Sequence, residues 1–102
     1  MPGIFSDSQI AAWKKVTDAV HAKGGAIFNQ LWYTGRASPA SFRGGAQPVS
    51  SSDIPMSGNY FDGTSCAEFP PRPMTVDEIH SLTTEFGAAA KRSIEAGFDG
   101  VE

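Results

Sequence analysis

Apolar positions at Ile10, Trp13, Val16 and Val20 recur at helical spacing and predict an amphipathic helix over residues 6–23. Ser6 and Gln9 supply a Ser-x-x-Gln capping box at its start, with Asp7 in the first turn. His21 and Lys23 stand in the last turn, where cations favour the helix dipole, and Gly24 suits the C′ position. The pattern then changes period. Residues 26–33 read as a strand, whose alternation puts Phe28, Gln30 and Trp32 on one face and Ile27, Leu31 and Tyr33 on the other. A strand apolar on both faces predicts a parallel sheet covered on both sides. Gln30 is the exception within it. A buried amide left unpaired costs about 1–3 kcal/mol, so Gln30 is expected either to bond neighbouring backbone or to face a polar ligand.

A second helical stripe follows at Ile79, Leu82, Phe86, Ala90 and Ile94. Thr75 and Glu78 form its capping box, Asp77 lies in its first turn, Lys91 and Arg92 lie toward its end, and Gly97 caps it. Phe98 to Glu102 read as the start of another strand. Residues 34–74 are unlike either flank. They hold every proline but Pro2 and show little periodicity. About forty residues without periodic structure are unusual in a compact domain, which predicts a functional loop or one ordered by short extended pieces. Candidates for such pieces are residues 47–50 and 59–61. Pro70, Pro71 and Pro73 bar a helix before Met74. The order is therefore helix, strand, long loop, helix, strand, an α/β alternation that implies parallel strands with right-handed crossovers. No internal repeat suggests a solenoid.

Bulk properties narrow the classes of partner. At 102 residues the chain allows one small domain, and 40% hydrophobic with 19% charged residues is globular in character. A formal charge of −3 gives no basis for binding nucleic acid or an anionic membrane. No apolar run approaches the ~20 residues of a membrane span, and the N-terminal residues lack a basic segment followed by an apolar one, so a cytoplasmic location is expected. Cys66 is the single cysteine, which excludes an internal disulfide and a multi-cysteine zinc site. His21 and His80 lie in different helices with no third ligand suggested, so no metal is expected. Asp53, Asp62 and Glu68 show no acid/base spacing, Cys66 has no adjacent base, and the loop glycines make no phosphate-binding pattern.

The run Gly25-Ala-Ile-Phe-Asn-Gln-Leu-Trp-Tyr-Thr-Gly-Arg36 resembles the third strand of the old yellow enzyme family. Its setting agrees in order: Ala19-Val-His-Ala-Lys-Gly-Gly25 before it, then Gln47-Pro-Val49, Pro71-Arg-Pro-Met-Thr75 and Ala96-Gly-Phe-Asp-Gly-Val-Glu102. The resemblance implies part of a (β/α)₈ TIM barrel, with residues 1–102 one partial domain covering about two of its eight units. It implies an FMN-dependent oxidoreductase that takes hydride from NAD(P)H and passes it to the β-carbon of an activated alkene. Gln30 matches the glutamine that bonds the flavin pyrimidine, so it is the expected cofactor residue. Trp32 matches an aromatic that shapes the substrate pocket. Tyr33 stands where many relatives have His and takes no catalytic role. The family's His/Asn or His/His pair, its tyrosine proton donor, its first two strands and its phosphate-holding loops correspond to no residues here, so the chain is expected to be truncated and no catalytic residue is assigned.

Two classes of function follow. One is an old yellow enzyme-like, FMN-binding reductase of a small hydrophobic molecule such as an α,β-unsaturated carbonyl compound. The alternative is a short flavin-free homologue: a small-molecule binding protein, a cofactor-free isomerase or cyclase, or a structural subunit. Exposed parallel strand edges invite pairing, so a homo-oligomer or an aggregation-prone chain is expected in either case.

Overall fold

The computed structural model describes residues 2–102. In chain order the elements are α1 (Asp7–His21), β1 (Phe28–Asn29), two short 3₁₀ turns (Gly35–Ala37 and Ala40–Arg43), β2 (Val49–Ser50), β3 (Arg72–Pro73), α2 (Val76–Glu95) and β4 (Gly100–Val101). The expected order of helix, strand, long loop, helix and strand holds, and both strand pairs are parallel. The chain divides into two compact units. One runs to Trp32 and resumes over His80–Glu102; the other is Tyr33–Ile79.

In the first unit the sequence signals become bonds. Ser6 Oγ accepts from the Gln9 amide at 3.4 Å, and Gln9 Oε1 accepts from the Ser6 amide at 3.1 Å, closing the capping box. Past α1, Gly24 turns left-handed at φ +74°. Its amide donates to His21 O at 2.8 Å, and the Gly25 amide donates to Val20 O at 3.2 Å. The end of α2 repeats the motif: Gly97 sits at φ +88°, its amide bonds Ile94 O at 2.9 Å, and the Phe98 amide bonds Ser93 O at 3.1 Å. β1 pairs β4 with Phe28 opposite Gly100 and Asn29 opposite Val101. Flanking bonds extend the ladder, from Asp99 N to Ile27 O (2.9 Å), Glu102 N to Asn29 O (3.0 Å) and Leu31 N to Glu102 O (2.8 Å).

The core of this unit is Ile4, Ala96 and Phe98, with Ile10, Trp13, Ile27, Leu31 and Ala89 packed around it. Trp13 tilts against Phe98 at a 5.4 Å centroid distance and donates its indole N–H to Gly3 O at 3.1 Å. The helical stripes differ from expectation in detail. Val16 is exposed and Thr17 is fully buried in its place. The Thr17 hydroxyl lies 2.7 Å from Ala96 O and 3.0 Å from Lys14 O, so its burial leaves no polar atom unpaired. On α2, Ile79 and Ile94 are exposed, whereas Ser93 is buried and Ala89 packs on the core. Close approach favours small residues here, and a stripe drawn by hydrophobicity alone passes beside them.

In the second unit β2 and β3 pair with Val49 opposite Arg72 and Ser50 opposite Pro73. The amides of Arg72 and Met74 donate to Pro48 O and Ser50 O, each at 2.9 Å. Pro73 falls between these two donors, at a position that gives nothing to this ladder, which is why a proline is tolerated. The expected extended piece at 47–50 thus forms β2, and that at 59–61 supplies Asn59 to an antiparallel bridge with Ser65. Tyr60 and Cys66 are buried beside it. Burial pushes the Tyr60 hydroxyl above its ordinary pKa, and it donates to Phe69 O at 2.8 Å. The second capping box also forms: the Thr75 amide donates to Glu78 Oε2 at 2.9 Å and the Glu78 amide to Thr75 Oγ1 at 3.2 Å. Glu78 also takes a two-pronged bond from Arg72, at 2.8 and 2.5 Å.

Candidate functional site

The strand that was expected to be buried on both faces is buried on one. Ile27, Asn29 and Leu31 are half-buried, and Ile27 and Leu31 pack on the core. Phe28, Gln30 and Trp32 share the opposite face, and all are exposed, Phe28 by 64% and Trp32 by 60%. Paired strand is confined to Phe28–Asn29 within the predicted 26–33. The rule that an all-apolar parallel strand is covered twice needs elements on both faces. Here the core-forming residues of α1 and α2 lie on one. Gln30 therefore bears no desolvation cost, because its carboxamide is open to solvent and to a partner.

The open face is nevertheless well defined. Gln30 follows β1 directly, at its C-terminal end. Its neighbours on both sides are held: Asn29 O accepts from Glu102 N, and Leu31 N donates to Glu102 O. Asn29 Nδ2 donates to Ser93 Oγ at 2.8 Å, and Ser93 Oγ donates to Ala89 O at 2.8 Å. Phe28 lies over Gly100; a Cβ on Gly100 would sit 2.5 Å from its ring. The glycine is thus what admits an aromatic ring to this face. Sequence reading passed over Asn29 and Ser93. The available signal was a polar residue between Ile27 and Leu31 on the face that turns inward.

At the other end of the strands, Asp99 Oδ2 accepts from the Ile27 amide at 2.7 Å and lies 2.9 Å from His21 Nε2. The His21 contact first and the Ile27 amide second hold the Asp99 carboxyl below its ordinary pKa. His21 therefore has a carboxylate partner as well as the helix end. In the second unit, Tyr33 is half-buried and its hydroxyl accepts from Arg43 Nη1 at 3.2 Å. Arg36 is half-buried and donates to Ile54 O at 2.9 Å. Its guanidinium anchors the loop. The Arg72 guanidinium, with the Thr75 amide, holds the Glu78 carboxyl down to about 2. Among the described residues no group of three His, Cys, Asp or Glu could hold a metal ion. No helix among them is long and apolar enough to cross a membrane.

The model of the NADH:flavin oxidoreductase / NADH oxidase family matches residues 1–102. The chain belongs to this family. It is 60% identical over 102 residues to the flavin oxidoreductase hxnT of Emericella nidulans, covering all of this chain and 26% of that protein. Among solved structures, the old yellow enzyme homologue from Zymomonas mobilis matches with a TM-score of 0.80 and 44% identity, over 98% of this chain and 28% of that one. Morphinone reductase in complex with tetrahydroNAD matches with a TM-score of 0.82 and 40% identity, over 99% of this chain and 30% of that one. The chain thus spans between a quarter and a third of the length of these three proteins. Its fold is a part of their α/β barrel, as the old yellow enzyme resemblance implied.

Proposed function

We propose that this chain supplies one edge of an FMN site in an NAD(P)H-dependent reductase of activated alkenes, with Gln30 on the cofactor and Trp32 on the substrate. The observation that carries the reading is the exposed face of Phe28, Gln30 and Trp32 at the C-terminal end of β1. In a (β/α)₈ barrel the helices pack outside, the opposite strand face turns inward, and the active site is built at the C-terminal ends of the strands. Gln30 and Trp32 occupy that face at that end.

The residues present fit part of a flavin. A carboxamide carries both a donor and an acceptor, and the flavin pyrimidine edge offers an N–H beside carbonyl oxygens, so one exposed Gln can pair with it twice. Trp32 and Phe28 offer apolar surface beside the amide. When bound, FMN supplies the hydride chemistry. The chain's own residues hold and orient. Gln30 would hold the pyrimidine edge, Trp32 would wall the substrate space, and the Glu102 ladder bonds hold the backbone on either side of Gln30. The substrate class that suits an apolar wall is a small α,β-unsaturated carbonyl compound. The comparison with a tetrahydroNAD complex supports a nicotinamide reductant. Residues 1–102 are read as one partial barrel domain, cytoplasmic and self-associating through its open strand edges.

The test is a fluorescence titration of FMN with the purified chain and with Gln30→Leu. Saturable quenching, weakened about tenfold by loss of one bidentate amide, supports the reading. Colourless protein that takes up no added FMN overturns it and returns the flavin-free alternative.

A further inference from the structure

The two faces of β1 are nearly equal in hydrophobicity. Ile27, Asn29 and Leu31 alternate with Phe28, Gln30 and Trp32, so each face carries two large apolar residues around one central amide. Burial of apolar area therefore does little to choose which face turns toward the helices, although a slip of one residue would exchange them completely. The paired segment is short, with two ladder positions in register against β4. Something other than apolar area must select the facing.

We infer that the Asn29–Ser93 hydrogen bond is the selector, and that Asn29 and Ser93 are positioning residues that put Gln30 and Trp32 on the open face. Ser93 is fully buried on α2, and its Oγ both accepts from Asn29 Nδ2 and donates to Ala89 O. Only an amide or similar donor at the inward central position satisfies that oxygen's acceptor site. The neighbouring Gln30 could not replace Asn29 without carrying Phe28 and Trp32 inward and its longer side chain against Ser93. Buried polar pairs of this kind contribute less to stability than to the choice of one arrangement over a competitor. The same bond fixes Asn29 along α2, and the Glu102 bonds to Asn29 O and Leu31 N then set the backbone on either side of Gln30. This inference rests on the proposed flavin site for its functional meaning, but not for its structural content.

The test separates the two. Gln30→Cys introduces a thiol on the open face, read by disulfide-exchange labelling without flavin; Cys66 is fully buried and gives the slow background. Asn29→Ala with Ser93→Ala removes both partners without adding a large apolar side chain to the inward face, which keeps the core satisfied while removing the selection. In that double variant the two facings become nearly equal in population, so the labelling of Gln30→Cys is expected to slow about twofold, while the unfolding midpoint stays near that of the parent. In the same double variant with Gln30 intact, FMN affinity is expected to fall by about the same factor. A folded double variant that labels at the parent rate overturns the inference. Should the double variant not fold, Ser93→Ala alone removes one oxygen and is read the same way, and an unchanged rate in it is equally fatal. Slowed labelling in a protein that never binds FMN, parent included, sustains the selector and rejects the flavin reading.

Discussion

Replacing Gly97 by alanine tests how the first unit is held together. Gly97 follows α2 at φ +88°, and a Cβ there would lie 2.7 Å from Thr17 Oγ1. Two costs arise. An L-residue in the left-handed region costs about 1–2 kcal/mol. The Thr17 hydroxyl must also move, and it is fully buried with its hydrogen directed at Ala96 O and Lys14 O. Leaving those groups unsatisfied adds about 1–3 kcal/mol. The expected loss is therefore about 2–5 kcal/mol, a large share of the stability of a small domain. Gly24 provides the control. It has nearly the same conformation, φ +74°, with nothing within 4 Å of an added Cβ. Gly24→Ala should show the backbone cost alone, about 1–2 kcal/mol. Urea unfolding followed by circular dichroism measures both variants. The difference between them reports the contact with Thr17. Equal destabilisation, within about 0.5 kcal/mol, would refute the account of Thr17 as the buried polar link between α1 and the end of α2.

Other perturbations address the second unit. Glu78 has its carboxyl lowered from 4.5 to about 2, chiefly by Arg72. A group with a depressed folded-state pKa adds stability above its unfolded value and loses it as pH falls through the folded one. The unfolding midpoint should therefore drop as pH goes from 4.5 toward about 2. Glu78→Gln should lie lower at neutral pH and lose that part of the acid limb; a parallel pH profile would show the Arg72 pair to be inert. Cys66 is fully buried, so native protein should label at least about a hundredfold more slowly than urea-unfolded protein, and rapid native labelling would show that the loop opens.

Helices were the legible part of this sequence. Both capping boxes and both glycine ends are local signals, each set by residues within one turn, and all four form as read. The long loop was legible only in outline. Its β2–β3 pairing joins Val49 to Arg72 across a stretch with no periodic pattern, so no local signal announces the partner. Proline positions showed only where a helix could not start. The one-sided burial of β1 was missed because its apolar pattern is the same on both sides. What distinguishes them is a hydrogen bond to Ser93 and a missing side chain at Gly100, neither of which hydrophobicity records. The same blindness placed Val16 in the core where Thr17 belongs. Gln30 and Trp32 were recognised as a pair from alternation, and the structure keeps them on one face. Their chemistry came from the family pattern around them, since an exposed Gln and Trp specify no ligand alone.

The proposed flavin site lies on the face of Gln30 and Trp32. It is tested most directly by adding FMN to ¹⁵N-labelled protein and following side-chain N–H resonances. The Gln30 carboxamide and the Trp32 indole N–H should shift together and saturate with FMN, while the Trp13 indole, bonded to Gly3 O, stays in place. Shifts centred on other residues, or none at saturating FMN, would contradict it.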